Sequence, residues 1–284
     1  MTPSHNDLPA AEVVRPSTTV DPAAIAAAGD RLVEAHFSGV ACAPVRDLIG
    51  NDDVAAAYLV QERLNAARAE GGAVVVGRKI GATSQAVQAQ LGVDQPDFGV
   101  LFDDMAFGPD DVIPMSRLIQ PKAEAEIAFV LAEDLAEGPL DDDQLRGAIA
   151  YAVAALEIVD SRIAGWDISF GDTVADNASA GLYVLGAERK TLDEVEPAEV
   201  TMSMSIDGEE VSTGTGAACL GDPLRAVAWL AHQARTFGAP LRAGQVVLSG
   251  ALGPMRPVAA GAVVVAEISG LGTVTARFSE ESTA

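Results

Sequence analysis

Between Gln120 and Leu131 the chain reads QPKAEAEIAFVL, and this segment restricts the fold more than any other. Side chains alternate between the two faces of a strand. On that period Ala123, Ala125, Ile127, Phe129 and Leu131 share one face and can enter a core, while Glu124 and Glu126 share the other. The glutamates stand together at the start of a strand whose remaining residues are apolar. Neighbouring carboxylates repel, and burying them unpaired costs several kcal/mol or raises their pKa. A bound divalent cation resolves that conflict, and oxygen-only ligands suit Mg²⁺ or Mn²⁺. A strand with one solvated acidic face has the same pattern, and on this segment alone both readings stand.

The sequence before the acidic strand is helical in character. Asp21-Pro22 reads as an N-cap followed by proline at the first helical position, with Gly39 as the stop. A second helix is expected from about Asp52 to Ala69, with Ala56, Leu59, Val60, Leu64 and Ala67 at helical spacing, ending at Gly71-Gly72. The polar, proline-containing residues 1–20 read as a flexible tail, and they lack the basic start and apolar core of a secretory signal.

The period then changes. Ala73 to Thr83, AVVVGRKIGAT, reads as a buried strand interrupted by Gly77 and Gly81, with Lys79 between them. A lysine amid apolar strand sequence is uncommon unless paired or functional, and flanking glycines let a ligand approach closely. A lysine snorkelling from a strand end is the plainer alternative. Ser84 is expected to cap a short helix, SQAVQAQLG. Asp141 to Asp143 open another, read as running through Leu145, Ile149 and Val153 into ALEIVDSRI. Glu157 lies there between Leu156 and Ile158, a third carboxylate in apolar sequence. WDISFGDTVADNASAGLYVLG reads as a loop entering a strand.

Toward the C-terminus, TMSMSIDGEEV reads as a hairpin through Asp207-Gly208, and the glycine-rich STGTGAACLGDP as a turn. It has no phosphate-loop lysine and does not complete GxGxxG. Asp222-Pro223 caps a helix to about Phe237, and QVVLSG, AVVVAEIS and GTVTARFS read as strands. Helices first and strands later, without regular βαβ alternation, predict an α+β fold whose mixed or antiparallel sheet curls on itself.

The net charge of −23 argues against nucleic-acid binding and against acidic membrane surfaces. No apolar run approaches membrane-spanning length. His5, His36 and His232 are scattered, and Cys42 and Cys219 lack metal-site spacing, so a histidine or thiolate site is not expected. A cytoplasmic protein is the expectation.

Five segments together, GRKIGATSQAVQAQLGVDQPDFGVLFDDM, QPKAEAEIAFVL, ALEIVDSRI, DTVADNASAGLYVLG and LSGALGPM, closely resemble the 2-hydroxypenta-2,4-dienoate (2-keto-4-pentenoate) hydratases of the fumarylacetoacetate hydrolase superfamily. The likeness runs from about Val45 to Ser279. It implies a helical N-terminal part (21–72) packed on a rolled mixed β-sheet catalytic domain (73–284) of the C-terminal type of that superfamily. It implies a Mg²⁺ or Mn²⁺ ion held by Glu124, Glu126 and Glu157, with Lys79, Ser179 and Asp97 lining the pocket. It further implies a homo-oligomer, a pentamer or decamer, able to associate with a pathway decarboxylase or aldolase. The activity implied is addition of water to a 2-hydroxy-2,4-dienoate in meta-cleavage catabolism of aromatic compounds, giving a 4-hydroxy-2-oxoalkanoate. The similar 4-oxalocrotonate decarboxylases share the three glutamates and the lysine, but LSGALGPM and FGVLFDDM look like hydratase sequence. A non-catalytic assembly partner is the contrasting expectation, since fold alone does not fix function.

Overall fold

The computed structural model describes residues 17–84, 88 and 93–280. The first helix, α1 (Pro22–Ser38), is capped by the Asp21 carboxylate, which accepts from Ala23 N at 2.8 Å, and ends at a left-handed Gly39. A single turn, α2 (Arg46–Ile49), precedes α3 (Val54–Glu70), whose N-cap Asp53 accepts from Ala56 N. Helices α1 and α3 pack against each other, and Leu32 of α1 and Val60 and Leu64 of α3 are buried. The sequence reading found both long helices and missed α2, which is too short to carry a period. The helix expected after Ser84 falls on residues outside those described, as does most of the N-terminal tail.

The strands follow as β1 (Val75–Gly81), β2 (Asp97–Phe102), β3 (Ala106–Phe107), β4 (Val112–Ile113) and β5 (Lys122–Leu131). After α4 (Asp142–Ala148) come β6 (Ile149–Val159), α5 (Phe170–Ala175) and β7 (Ala180–Leu185). The chain continues through β8 (Thr201–Ile206), β9 (Glu209–Thr215) and α6 (Pro223–Thr236), and then β10 (Val246–Ala251), β11 (Arg256–Pro257), β12 (Val263–Ile268) and β13 (Gly272–Phe278). Two sheets result. The larger has the order β2-β1-β10-β5-β6-β7-β3 with β11 added beside β5, and the smaller has the order β4-β13-β12-β8-β9. Parallel pairs (β1 with β10, β3 with β7, β4 with β13) mix with antiparallel ones. The expected α+β architecture with a mixed, curled sheet is what the chain adopts.

The smaller sheet packs its β12 and β13 on β6, while α6 lies on β10 and α3 on α5. Between these layers Ile127, Phe129, Ala154 and Leu156 are fully buried. A fully buried side chain of the size of Ile or Phe contributes roughly 1.5–3 kcal/mol.

Three expected elements differ. The helix opened by Asp141 ends at Ala148, and Ile149 and Val153 belong to β6. Leu145, Ile149 and Val153 are spaced by four, and a spacing of four keeps residues on one face under either the helical or the strand period. Tertiary pairing decides: β6 lies between β5 and β7 and hydrogen-bonds to both. The segment expected as a loop after Trp166 contains α5, and the signal for it is a capping box. Ser169 Oγ accepts from Asp172 N at 3.2 Å, and the Asp172 carboxylate accepts from Ser169 N at 2.9 Å. The glycine-rich STGTGAACLGDP begins as the end of β9 before it turns.

Candidate metal centre and its cavity

The antiparallel register of β5 and β6 places Glu124 directly opposite Glu157, with Glu126 one rung deeper, opposite Ala155. One carboxylate oxygen from each of Glu124, Glu126 and Glu157 lies within 4.8 Å of the others. Glu126 and Glu157 are buried, and Glu124 is half-buried at the cavity wall. The deep end is closed by β10, where the pairing with β5 shifts between Leu248 and Ala251. In that irregular stretch Gly250 has φ +111°, and its N–H donates to Glu126 Oε2 at 2.8 Å. A Cβ at Gly250 would lie 2.4 Å from Thr83 Oγ1, so only glycine fits there.

The fit of this cluster to a divalent cation rests on oxygens with nothing else to bind. Among the described residues, Glu126 Oε1 and Glu157 Oε2 are buried without a hydrogen-bond partner. Buried acceptors left unpaired are costly, and here two of them converge with a third carboxylate. Burial, and then Glu157, push the Glu124 carboxyl up to about 7 against the opposing pull of Lys79. Burial, then Glu157 and Glu124, hold Glu126 well above the usual carboxylate range. Burial also raises Glu157, against Lys79. Positive charge in their midst reverses all three directions. The donor set is all carboxylate oxygen, which suits a hard cation.

Lys79 reaches this cluster from β1, three strands from β6 in the sheet order. Three strand steps span roughly 14 Å on a flat sheet. The 3.1 Å separation of Lys79 Nζ from Glu157 Oε1 therefore depends on the curl. The buried ammonium also donates to Ala178 O at 2.8 Å. Burial works against its charge, but Glu157, Asp97, Glu124 and Glu126 outweigh that and hold Lys79 above the ordinary lysine range. Asp97, at the start of β2, is raised by burial and drawn back by Lys79. Its Oδ1 would lie 2.2 Å from a Cβ on Gly81, which accounts for one of the glycines flanking Lys79.

Ser179 enters the cavity from the turn Asn177–Ser179, where three consecutive residues are left-handed, with φ of 55°, 52° and 51°. Such conformations cost about 1–3 kcal/mol each and persist only where the surroundings enforce them. Asn177 supplies one clamp: its Oδ1 accepts from Val100 N at 2.8 Å, and its Nδ2 donates to Val100 O at 2.9 Å. Arg162 supplies the other, donating from Nε to Asp176 Oδ1 at 2.5 Å, from Nη1 to Ala180 O at 2.7 Å, and from Nη2 to Asp176 O. The turn thereby aims the Ala178 carbonyl at Lys79. Thr173 Oγ1 lies 3.4 Å from Asp97 Oδ2 and 3.5 Å from Ser179 Oγ, linking the two.

These groups line a cavity of about 230 Å³. One end is polar, with Lys79, Asp97, Glu124, Thr173 and Ser179; the outer walls are Val159, Trp166, Ile168 and Met255, with Lys122 among them. Four of the six sequence-derived site residues, Lys79, Asp97, Glu124 and Ser179, line this cavity, and Glu126 and Glu157 are buried beside them, clustered with Glu124 and, for Glu157, paired with Lys79. Sequence reasoning missed Thr173, Asn177, Trp166 and Lys122. For Lys122 a signal was present, since it shares the strand face of Glu124 and Glu126. The others depend on loop geometry that leaves no periodic mark.

Residues 72–279 match the family model described as fumarylacetoacetate (FAA) hydrolase C-terminal. A 2-keto-4-pentenoate hydratase of Burkholderia vietnamiensis is 53% identical over 260 residues, 92% of this chain and 99% of that protein. A 2-hydroxyhexa-2,4-dienoate hydratase of Comamonas testosteroni is 41% identical over 254 residues, 89% of this chain and 96% of that one. Among solved structures, 4-oxalocrotonate decarboxylase from Pseudomonas putida G7, complexed with magnesium and adipate, superposes with a TM-score of 0.87 at 32% identity. That similarity covers 92% of this chain and 100% of the decarboxylase chain.

Proposed function

The chain belongs to the fumarylacetoacetate hydrolase family, and on that premise we propose that it is a metal-dependent hydro-lyase acting on 2-hydroxypenta-2,4-dienoate or a 5-substituted analogue. The product is a 4-hydroxy-2-oxoalkanoate, formed in the meta-cleavage breakdown of aromatic compounds. The observation that carries the reading is the convergence of Glu124, Glu126 and Glu157 beside the buried Lys79 ammonium, with Glu124 and Lys79 lining a small cavity.

Glu124, Glu126 and Glu157 would hold the cation, Mg²⁺ or Mn²⁺, which when bound supplies Lewis acidity toward the carboxylate and 2-oxygen of the substrate. Conversion of the dienol to an α,β-unsaturated 2-oxo acid removes the proton of the 2-hydroxyl and adds one at carbon 5. Lys79, held in its protonated form, gives carbon 5 its proton and takes up the one leaving the 2-hydroxyl, so its charge is restored at the end of the step. Water then adds at carbon 4 while carbon 3 takes a proton. Asp97, whose carboxyl is raised by burial, accepts the proton of that water and passes one on to carbon 3, with Thr173 and Ser179 orienting the water, so the step ends with Asp97 as it began. The outer walls Val159, Ile168 and Met255 exclude bulk water from the carbon chain.

The reading includes a homo-oligomer of five or ten copies in the cytoplasm, which sedimentation of the purified protein would measure. The deciding experiment offers 2-hydroxypenta-2,4-dienoate and 5-methyl and 5-carboxy analogues with Mg²⁺ in heavy water. Loss of dienoate absorbance with 4-hydroxy-2-oxopentanoate formed and deuterium at carbon 5 is the expected result. Release of CO₂ from 2-oxohex-3-enedioate without hydration of any dienoate would overturn it in favour of decarboxylation.

A further inference from the structure

Lys122 points from β5 to the same side as Glu124 and Glu126, one rung nearer the mouth, opposite Val159. Its ammonium lies 3.9 Å from the centroid of a Trp166 ring. The indole is fixed in turn: its N–H donates to Gln120 O at 2.9 Å, and the Gly165–Trp166 turn is left-handed at both residues. The segment that carries Lys122 therefore also locks the ring against which the lysine rests. A ring face attracts a cation without consuming its N–H donors. Among the described residues, no ion pair engages Lys122, whereas Lys79 is already held by Glu157.

Charge explains what such a lysine is for. Glu124, Glu126, Glu157 and Asp97 bring four negative charges when ionised, and Lys79 with a divalent cation brings three positive ones. The centre is therefore net negative before an anionic substrate enters. Among the described residues, Lys122 is the remaining cation lining the cavity. The neighbouring walls Val159, Ile168 and Met255 offer no donor to a second anionic group, so the carbon chain lies against them.

We propose that Lys122, braced on Trp166, anchors the C1 carboxylate of the substrate and sets the preference for 2-oxo and 2-hydroxy acid anions over neutral analogues. This rests on the hydro-lyase reading for the identity of the acid but not for the binding itself. A residue two positions along a strand is displaced by roughly 6.5 Å, within reach of a lysine stem leaning toward Glu124.

The test is calorimetry of pyruvate and of its neutral methyl ester on the Mg²⁺-loaded full chain, alongside steady-state kinetics. Lys122→Met should weaken pyruvate by about tenfold or more and leave the ester unchanged, since only the anion loses its partner. Lys122→Arg should stay within about threefold of the parent because it keeps the charge. In turnover, KM should rise for every dienoate while kcat holds, the mark of lost uniform binding. Pyruvate should also perturb the Trp166 emission of the parent and not that of Lys122→Met. Lys122→Gln serves as a second neutral variant, with far-ultraviolet dichroism and metal stoichiometry as folding controls.

Unchanged pyruvate affinity and KM in folded variants would overturn the proposal, as would a fall in kcat alone. So would a loss confined to dicarboxylates such as adipate, which would assign Lys122 to the far end of the substrate. If no dienoate is hydrated but Lys122→Met still loses pyruvate, the hydro-lyase reading falls and the anchor stands.

Discussion

Glu124 and Glu157 are direct cross-strand partners on β5 and β6, two acidic side chains facing each other in the middle of a sheet. Like charges directly opposite destabilise a ladder. Apolar pairs on both sides, Ala123–Ile158 on one and Ala125–Leu156 and Ile127–Ala154 to Phe129–Ala152 on the other, keep the register despite that repulsion.

Neutralising one member should therefore separate binding from folding. Glu124→Gln or Glu126→Gln is expected to reduce divalent-cation affinity steeply, on the order of 10-fold to 100-fold or more, since an amide replaces an anionic ligand. Thermal stability of the cation-free protein should hold or rise, because a repulsive contact is removed. Titration calorimetry with Mg²⁺ and Mn²⁺ checks the first and a melt in chelator checks the second. Unaltered affinity in both variants would remove the metal centre.

For Lys79, the expectation is loss of turnover with the cation retained. Lys79→Met keeps the aliphatic stem and removes the ammonium 3.1 Å from Glu157. Turnover should fall by roughly 10²-fold or more, in kcat and in kcat/KM alike. Cation affinity should not fall, because a competing positive charge has gone. A rise in KM alone would make Lys79 a substrate anchor.

The left-handed turn gives a stability prediction. Asn177→Ala leaves both the N–H and the C=O of Val100 without their partner in a buried setting. A cost of about 2–4 kcal/mol is expected from two stranded backbone groups. Urea unfolding midpoints measure it, and a cost below about 0.5 kcal/mol would show that the turn is held by other contacts.

His36 in the last turn of α1 gives an acid-limb prediction. Burial, reinforced by the nearby charges of Arg68, Arg162 and Arg117, pushes its imidazole from 6.5 down to about 3. Between those values the unfolded chain takes up a proton that the folded chain refuses, so this group's contribution to stability is lost as pH falls. The slope is at most about 1.4 kcal/mol per pH unit, and less here because the ring is half-buried. His36→Gln should flatten the fall in stability between pH 6.5 and 3, read from urea midpoints. An unchanged slope would show that the ring titrates normally.

How much of this was legible in the chain follows from physical range. The strand bearing Glu124 and Glu126 shows in the sequence because a period of two is local. Glu157 stands out as a carboxylate in apolar sequence, but its position opposite Glu124 is a matter of register between distant segments. The helix from Asp141 overran because a spacing of four does not distinguish helix from strand. Asp97 and Ser179 were reached through family likeness alone, and Thr173, which joins them, was not reached. The Asn177–Ser179 turn is hidden because left-handed backbone is usually announced by glycine, and here Asn, Ala and Ser adopt it under outside constraint.

The unequal anchoring of the two sides of the cavity has a further consequence. Glu124, Glu126 and Glu157 sit in the interior of an unbroken ladder running from Lys122–Val159 to Val130–Tyr151, flanked by β10 and β7. The Gly165–Trp166 rim is held by a few loop hydrogen bonds. Local opening free energies scale with such differences. In amide hydrogen exchange, the β5 and β6 amides should outlast those of the rim by orders of magnitude. The rim can then open for substrate on its own timescale while the carboxylates keep their spacing, so admission and coordination are decoupled motions.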